Sequence, residues 1–409
     1  MSIAWLNVIL FFALSMGHTA LVVALVNRVH AWPLPMPVLH RFRQAHDLVI
    51  VVLPGLFAWL AGFSGPQLFF GGSWHNLPLS LLTYLAVCGA VVAALPVVAL
   101  RRRLAACRAV QIAKSSRTID IACEIGFRPL GRGPYELFTR IPGNQILKLE
   151  VSDKQYRVPR LPAEWDGLSI LHISDLHFLG TIDKPYFERV IAVANTMPAD
   201  LVVFTGDLID REDLIDWLPS TLGRLSAPLG CYFVLGNHDW TMTNTDEIRD
   251  RLEEMGWHGV ASRTVVIEHL GLPLAICGSE LPWMGTQPDL RSAPPDAFRL
   301  FLSHTPDNIA WGRRHAIDLM LSGHNHGGQV RLPGFGAVYS PSIYGCHYAS
   351  GVFWEPPTLL YVSRGISGRH PLRLNCLPEL TRLILRKALV APVRESVTTV
   401  ERQTVAGAI

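Results

Sequence analysis

The fold of this chain is decided by the segment Leu235-Gly236-Asn237-His238-Asp239, which directly follows the apolar run Cys231–Val234. The apolar run predicts a buried strand, and the glycine after it predicts an abrupt turn. Asn237, His238 and Asp239 then lie on a loop at the end of a strand, where α/β proteins commonly place their functional sites. The segment therefore predicts both a strand and a candidate site at its carboxyl end.

Four other apolar runs end in polar residues of the same kind. They are Ser169–Ile173 before Ser174-Asp175-Leu176-His177, Leu201–Phe204 before Thr205-Gly206-Asp207, Leu300–Leu302 before Ser303-His304, and Asp318–Leu321 before Ser322-Gly323-His324-Asn325-His326. If each run is a strand, the five loops can converge at one end of a sheet system. Carboxylates, imidazoles and an amide oxygen on one rim form a ligand set that suits Mn, Fe or Zn.

The order of these five motifs resembles the calcineurin-like metallophosphoesterase family, in particular its membrane-associated bacterial branch, over roughly residues 160–385. The resemblance implies an α/β fold with two facing mixed β-sheets flanked by helices. It also implies two divalent metal ions. One ion would be held by Asp175, His177, Asp207 and His326, and the other by Asp207, Asn237, His304 and His324. Asp207 would then bridge the two ions.

The same resemblance implies a mechanism in which metal-bound hydroxide attacks phosphorus and the metals neutralise the phosphoryl oxygens. His238 is outside the ligand set, and we expect it to stabilise the phosphoryl group or to protonate the leaving oxygen. Asp239 is expected to orient His238 and support its charge. Taken singly, each residue has a plainer interpretation, because a histidine after a strand or an aspartate in a turn is commonly structural.

The first hundred residues carry most of the apolar excess of a chain that is 49% hydrophobic, with a mean hydropathy of +0.27. Ile3–Val26 is long enough to span a membrane, and Leu48–Phe63, or its extension to Phe70, and Leu77–Leu100 are the second and third candidate spans. A signal peptide would need a basic start and a shorter apolar core, and Met1–Trp5 has no basic residue. Buried helices of a large soluble domain are the alternative interpretation of all three segments.

Basic residues predict the topology of these spans. They lie in the first connection and after the third span, as Arg28, Arg41, Arg43, Arg101, Arg102, Arg103 and Arg108, and are absent from Ser64–Asn76. The positive-inside bias predicts a multi-pass protein of the inner (cytoplasmic) membrane with a cytoplasmic catalytic domain. A net charge of +3 without a basic stripe argues against nucleic acid as a partner. Seven scattered cysteines argue against a full disulfide framework.

The predicted domains are a three-helix transmembrane anchor (1–103), a linker and lead-in strand (104–160), the metallophosphoesterase domain (161–386) and a tail (387–409). Within them we expect an edge strand in Gln145–Val158 and strands at Thr264–Ile267 and Leu272–Cys277. Helices are expected at Phe187–Asn195, Asp213–Leu225 and Asp246–Met255.

The function expected from these features is hydrolysis of a phosphodiester or pyrophosphate bond by a membrane-anchored two-metal enzyme. A membrane anchor favours a lipid-linked substrate, and the resemblance suggests UDP-2,3-diacylglucosamine as an example. The alternatives are a phosphodiesterase for a soluble, nucleotide-type substrate and a non-catalytic membrane scaffold in which metals only stabilise the fold. Two local alternatives stay open. Trp283 either helps form an acyl-accepting cap or packs in a surface loop, and Arg364 either meets substrate phosphate or pairs with a carboxylate.

Overall fold

The computed structural model describes residues 2–105 and 110–388. The α-helices are α1 (Ile3–Val29), α2 (Met36–Phe57), α3 (Leu79–Ala105), α4 (Ile121–Ile125), α5 (Lys184–Ala194), α6 (Thr245–Glu254) and α7 (Ile309–Arg314). A π-helical segment, Ala58–Ser64, continues α2. Short 3-10 helices occur at Leu68–Phe70, Trp74–Asn76, Glu136–Arg140, Ala163–Trp165, Glu212–Ser220, Leu222–Arg224, Asp239–Thr241, Pro306–Asn308 and His326–Gly328.

Two large mixed sheets form the centre of residues 110–388, which are called the catalytic part below. The strands are β1 (Gln111–Asp120), β2 (Lys148–Val158), β3 (Ser169–Ile173), β4 (Leu201–Thr205), β5 (Cys231–Val234), β6 (Trp257–Gly259), β7 (Thr264–His269), β8 (Leu272–Ser279), β9 (Phe298–Ser303), β10 (Leu319–Ser322), β11 (Arg331–Leu332), β12 (Gly336–Ala337), β13 (Gly351–Glu355), β14 (Thr358–Val362) and β15 (Glu379–Lys387). The first sheet has the order β1-β2-β15-β3-β4-β5-β6, the second β13-β14-β10-β9-β8-β7, and β11 pairs with β12. The two facing mixed sheets predicted from the resemblance are therefore confirmed.

Strand β4 shows why the central strands read as unbroken apolar runs. Successive side chains point to opposite faces of a sheet. Val202 and Phe204 pack on the helix side with Phe187 of α5, whereas Leu201 and Val203 pack against the second sheet. Burial of each such side chain contributes about 1.5–3 kcal/mol. Since both faces of β4 are covered, no polar alternation is expected, and none occurs in this strand.

The parallel strands bring the predicted site together. β3, β4 and β5 are parallel neighbours in the first sheet, and β9 and β10 are parallel neighbours in the second. The two sheets share one apolar core, in which Ile170 and Val234 belong to the same cluster as Leu300 and Leu321. The loops after all five strands consequently lie at one end of the two-sheet core.

The expected edge strand in Gln145–Val158 is wrong in its position. β2 lies between β1 and β15, so it is an interior strand, and β1 occupies the edge. Seven consecutive residues of β1, Ile112–Thr118, are exposed or nearly so, and their mixed polarity gives no alternating pattern that would reveal a strand. The predicted boundary at residue 161 stays a prediction, although two strands from residues 104–160 belong to the first sheet.

The expected helices at 187–195 and 246–255 are confirmed as α5 and α6, with shifted ends. The helix expected over Asp213–Leu225 is wrong, because two 3-10 helices, Glu212–Ser220 and Leu222–Arg224, stand there. Pro219 lacks the amide proton that an α-helix would need at this position. The expected strands at 264–267 and 272–277 are β7 and β8. Of the predicted tail, residues 389–409 lie outside the described residues.

Three helices in the described part are long and apolar enough to cross a membrane: Ile3–Val29, Pro37–Ser64 and Leu79–Arg101. α1 also contacts the catalytic part directly. The side-chain amide of Asn27 donates to the Val338 carbonyl at 3.3 Å, and its oxygen accepts from the Ser340 amide at 3.1 Å. Asn27 is only 3% exposed, so these hydrogen bonds satisfy a buried polar group.

Candidate metal centre

The loops after β3, β4, β5, β9 and β10 bring the predicted ligands together. The predicted ligands form two groups whose ligand atoms lie within 4.8 Å of one another: Asp175, His177, Asp207 and His326 in one, and Asp207, His304 and His324 in the other. Asn237 belongs to the second group by contact, since its Oδ1 lies 3.1 Å from Nε2 of His304. Asp207 is common to both groups. Its Oδ2 lies 3.4 Å from Nε2 of His177 and 3.3 Å from Nε2 of His304.

For three of the four ligand imidazoles, the hydrogen bonds on the outer side of the ring determine what points inward. Nδ1 of His177 lies 2.8 Å from Asp210, Nδ1 of His304 lies 2.7 Å from the Thr205 carbonyl, and Nε2 of His324 lies 2.8 Å from the Pro341 carbonyl. Each of these partners accepts a hydrogen bond from a ring N–H, so in a neutral ring the opposite nitrogen presents a lone pair. In neutral rings, the lone pairs on Nε2 of His177 and of His304 thus face Oδ2 of Asp207, and the lone pair on Nδ1 of His324 faces Nε2 of His304.

Convergent acceptors without a donor repel one another, and a cation removes that repulsion. Nδ1 of His324 lies 3.1 Å from Nε2 of His304, and Nε2 of His177 lies 3.3 Å from Nε2 of His326. Imidazole, carboxylate and amide donors at such spacing form a nitrogen/oxygen set suited to borderline divalent metals. The partners at the outer nitrogens are those that commonly fix metal-ligating histidines. The residues present therefore fit a metal centre.

Backbone conformation gives independent support for this fit. Five of the seven predicted ligands have positive φ, namely Asp175 (56°), His177 (49°), Asp207 (59°), His324 (68°) and His326 (48°). Residues other than glycine rarely adopt this left-handed region, and such conformations cost about 1–3 kcal/mol each. Their concentration at one site indicates that side-chain placement there has priority over local backbone preference.

Glycines allow the loops to approach one another closely. A Cβ on Gly236 would lie 2.2 Å from Oδ1 of Asp207, and one on Gly323 would lie 1.8 Å from Oγ of Ser174. The sequence showed these glycines only as turn residues. The structure shows that they also leave room for the carboxylates of neighbouring loops.

His238 lies beside the first ligand group, with its ring 4.6 Å from the ring of His177. The role expected for Asp239 in orienting His238 is wrong. The Asp239 carboxylate accepts from the backbone amides of Gly236, Leu208 and Ile209, so it fixes the loops. The carboxylate that contacts Nδ1 of His238 belongs to Asp210, at 2.5 Å.

Asp210 was missed in the sequence, although it stands only three residues after Asp207. Its side chain is 2% exposed and uses one oxygen for each of two histidines, Oδ2 for His177 and Oδ1 for His238. The sequence did contain one indication of its role, namely a carboxylate in the same loop as the predicted ligand Asp207. That it turns toward the histidines and away from solvent depends on the tertiary structure.

The electrostatics of the site follow from buried carboxylates among imidazoles. Burial acts to lower the pKa of His238, but the charges of Asp210 and Asp207 dominate and raise it to about 9. Burial likewise opposes protonation of His304, and the charge of Asp207 raises its pKa to about 9. Burial lowers the pKa of His324 to about 3, with help from His304. The protein thus creates a strongly negative potential around Asp207, as a cation site requires.

Contacts decide the alternative left open for Arg364, and they place Trp283 beside the site without deciding whether its loop forms an acyl-accepting cap. The Trp283 ring packs 5.7 Å from the ring of His304 and 5.0 Å from that of His324, so this loop covers two predicted ligands. Arg364 pairs with Glu150 at 3.2 Å and with Glu379 at 3.1 Å, which makes it a structural cation. Lys154 also contacts Glu379, and this buried cluster joins β2, β15 and the end of β14.

The predicted ligands open into a cavity of about 450 Å³ that both parts of the chain line. The catalytic part contributes Tyr135, Phe138, Asp207, Asn237, His238, His324, Asn325, His326, Gly328, Gln329, Tyr339, Pro341, Arg369 and His370. The apolar helices and their connection contribute His30, Leu39, Arg43, Gln44 and Asp47. The candidate centre therefore lies next to the ends of α1 and α2 that face the catalytic part.

Comparison with known proteins agrees with this geometry. Residues 168–328 match the family described as calcineurin-like phosphoesterase. The phosphodiesterase YaeI of Escherichia coli is 29% identical over 220 residues, which are 53% of this chain and 81% of YaeI. A transmembrane protein with metallophosphoesterase domain from Bos taurus is 29% identical over 260 residues, 58% of this chain and 57% of that protein.

A third relative is the UDP-2,3-diacylglucosamine pyrophosphatase LpxG of Chlamydia muridarum. It is 27% identical over 293 residues, which cover 58% of this chain and 88% of LpxG. The relatives are thus hydrolases of phosphoester or pyrophosphate bonds, and members of this group use metal ions. Residues 168–328 of this chain are thus similar to calcineurin-like metallophosphoesterases, and the two facing sheets with their convergent ligand loops form a metallophosphoesterase fold.

Proposed function

We propose that this protein is a membrane-anchored two-metal phosphoesterase that hydrolyses a phosphodiester or pyrophosphate bond. Asp175, His177, Asp207 and His326 would hold one ion. Asp207, Asn237, His304 and His324 would hold the other, with Asp207 shared. When bound, such cations supply a water nucleophile at neutral pH and neutralise charge on the phosphoryl oxygens. Mn, Fe and Zn are the ions that suit this ligand set.

The chain's own residues supply orientation and a proton. Asp210 holds the rings of His177 and His238 through their Nδ1 atoms, which turns the Nε2 atom of each ring away from Asp210. His238 lines the cavity; burial lowers its pKa, but the charges of Asp210 and Asp207 outweigh burial and raise it, which favours the protonated ring. We propose that Nε2 of His238 donates this proton to the leaving oxygen.

The substrate we favour is lipid-linked, with a headgroup like that of UDP-2,3-diacylglucosamine. The observation that carries this choice is the cavity beside the predicted ligands, which is lined jointly by the catalytic part and by the ends of α1 and α2. If α1–α3 span a membrane, a headgroup in that cavity keeps its acyl chains close to the bilayer. The name of the LpxG relative supports the same class of substrate.

For the location, we propose a multi-pass protein of the inner membrane with its catalytic part in the cytoplasm. Three apolar helices and the transmembrane relative support a membrane protein. The arginines of the first connection and of the segment after α3 support the orientation through the positive-inside bias. Protease protection in sealed inner-membrane vesicles of known orientation tests it, and cleavage of the catalytic part only from the opposite side would contradict it.

The experiment that tests the activity uses the full chain in detergent with UDP-2,3-diacylglucosamine and its deacylated analogue. We expect hydrolysis of the pyrophosphate bond with a preference for the acylated substrate. Equal rates on both substrates would favour a soluble, nucleotide-type substrate. If neither these nor simple nitrophenyl phosphodiesters are hydrolysed after Mn, Fe or Zn reconstitution, the catalytic proposal fails.

A further inference from the structure

The first turns of α2 present one face to the cavity beside the predicted metal centre. Leu39, Arg43 and Asp47 recur at intervals of four residues, so they lie on one stripe of the helix, and all three line the cavity. Gln44 lies next to this stripe and lines the cavity as well. A helix that served only as an anchor would not need polar residues facing a hydrolytic site.

Arg43 brings a guanidinium, a group that binds anions, to the lining of the cavity. It is half-buried, and within residues 2–105 and 110–388 no carboxylate lies at ion-pair distance from it. Asp47 is exposed one turn further along and adds a negative charge to the same wall. Arg369 adds a second guanidinium to the lining of the same cavity, 3.8 Å from Asp210.

Arg43, Arg369 and His370 line the same cavity. After burial, the charges of Arg43 and Arg369 are the main reason that the pKa of His370 is lowered to about 3. The imidazole of His370 is therefore neutral, and its ring contacts Tyr135 at 4.4 Å. The lining of the cavity thus combines two cations with a neutral aromatic surface.

Hydrogen bonds connect α1 to the catalytic part and to α2, the helix that carries Arg43. α1 is fixed to the loop before β13 by Asn27, and Nε2 of His18 on α1 lies 3.1 Å from the Val49 carbonyl of α2. The Pro341 carbonyl of that same loop contacts the predicted ligand His324 at 2.8 Å. The first two helices and the metal-ligand loops are consequently one connected structure.

We propose that Arg43 of α2, together with Arg369, binds the anionic group of the substrate that is not held by the metal ligands. Guanidinium groups bind phosphate oxygens through paired, charge-assisted hydrogen bonds. This inference rests on the proposed function and makes it more specific. The substrate class is then a headgroup with two adjacent anionic groups, such as a pyrophosphate diester, and α2 is part of the substrate-binding site.

The test compares Arg43→Gln and Arg43→Lys with Arg41→Gln, all in the full detergent-solubilised chain. Arg41 is exposed on the same helix and does not line the cavity, so its variant is the matched control. Two substrates are used: diuridine pyrophosphate with two phosphates, and the nitrophenyl ester of thymidine monophosphate with one. Binding of methylenediphosphonate and of inorganic phosphate is measured in parallel by calorimetry.

For Arg43→Gln we expect kcat/KM on the pyrophosphate to fall about ten- to a hundredfold further than on the monophosphate ester, mainly through KM. Methylenediphosphonate binding should weaken by a similar factor, and inorganic phosphate binding by much less. Arg43→Lys should recover part of the loss, because it restores the charge without the paired donors. Arg41→Gln should match the wild type.

An equal fall on both substrates, or unchanged methylenediphosphonate affinity in Arg43→Gln, would overturn the inference. A wild-type protein that hydrolyses neither these two substrates nor UDP-2,3-diacylglucosamine would refute the proposed function. In that case the calorimetric comparison still decides whether Arg43 binds the second anionic group.

Discussion

Replacement of Asp210 by asparagine tests the orientation of the site with a change of very few atoms. Each Asp210 oxygen faces a different histidine, with Oδ2 toward Nδ1 of His177 and Oδ1 toward Nδ1 of His238. An asparagine keeps the shape but offers one acceptor and one N–H donor. One of the two imidazoles must then lose its hydrogen bond or move its proton to Nε2.

Either outcome damages the site. A proton on Nε2 of His177 occupies the atom that faces Asp207 and His326, where a metal ion would bind. Loss of the charge beside His238 removes the main reason for its raised pKa, so less of it is protonated at neutral pH. Outer partners of metal-ligating histidines are typically worth about 10- to 100-fold in metal affinity or activity. That range corresponds to about 1.4–2.8 kcal/mol.

The assay is kcat/KM on a nitrophenyl phosphodiester, with metal content measured on the same samples. Asp213→Asn is the matched control, because its ion pair with Arg211 is exposed and such pairs contribute about 0–1 kcal/mol. We expect Asp210→Asn to lose 10- to 100-fold in kcat/KM, while Asp213→Asn stays within about twofold of the wild type. An Asp210→Asn protein with wild-type rate and metal content would refute the orienting role.

Three further predictions concern the packing around the site. Gly236→Ala should reduce the rate of hydrolysis by about 100-fold, because the new Cβ would displace the Asp207 carboxylate. Gly55→Ala is the control and should leave the rate unchanged, because nothing lies within 4 Å of its new Cβ. Equal rates for the two variants would contradict the steric argument. Burial raises the pKa of Glu379, but its two buried cations hold it well below the ordinary value. Glu379 therefore stabilises the fold above its unfolded pKa of about 4.3, and this contribution is lost as pH falls toward its folded pKa. In urea unfolding at pH 7, Glu379→Gln should lower the free energy of unfolding by about 3–5 kcal/mol, and this loss should be smaller at pH 3. A loss of stability that does not change with pH would count against the ion pairs. Asn27→Ala leaves the backbone amide of Ser340 without its acceptor and should lower the free energy of unfolding in detergent by about 1–3 kcal/mol. An unchanged melting temperature would indicate that Asn27 does not fix α1 to the catalytic part.

The convergence of the ligand loops was predictable because the signals are local. Each is an apolar strand followed directly by a turn with Asp or His, as in Ile173-Ser174-Asp175 and Leu321-Ser322-Gly323-His324. Parallel neighbours in a sheet then bring such strand ends together. The facing sheets and the three apolar helices were predictable from the resemblance and from segment length.

The errors arise where tertiary contacts decide. Asp239 and Asp210 are equally polar in the sequence, yet Asp239 binds backbone amides and Asp210 binds the imidazoles. Neither preference has a sequence pattern. Strand β1 was overlooked because its exposed, mixed residues are held in the sheet by pairing with β2 rather than by an apolar face. The approach of Arg43 to the site depends on the packing of α1 and α2 against the catalytic part.

The most direct measurement is the metal content of the purified full chain, by elemental mass spectrometry, for wild type and Asp207→Asn after reconstitution with Mn, Fe or Zn. The convergent ligands predict two ions per wild-type chain, loss of at least one ion in Asp207→Asn, and loss of phosphodiester hydrolysis with it. A wild-type chain that binds no ion, or an Asp207→Asn chain with two ions and full activity, would contradict the two-metal centre.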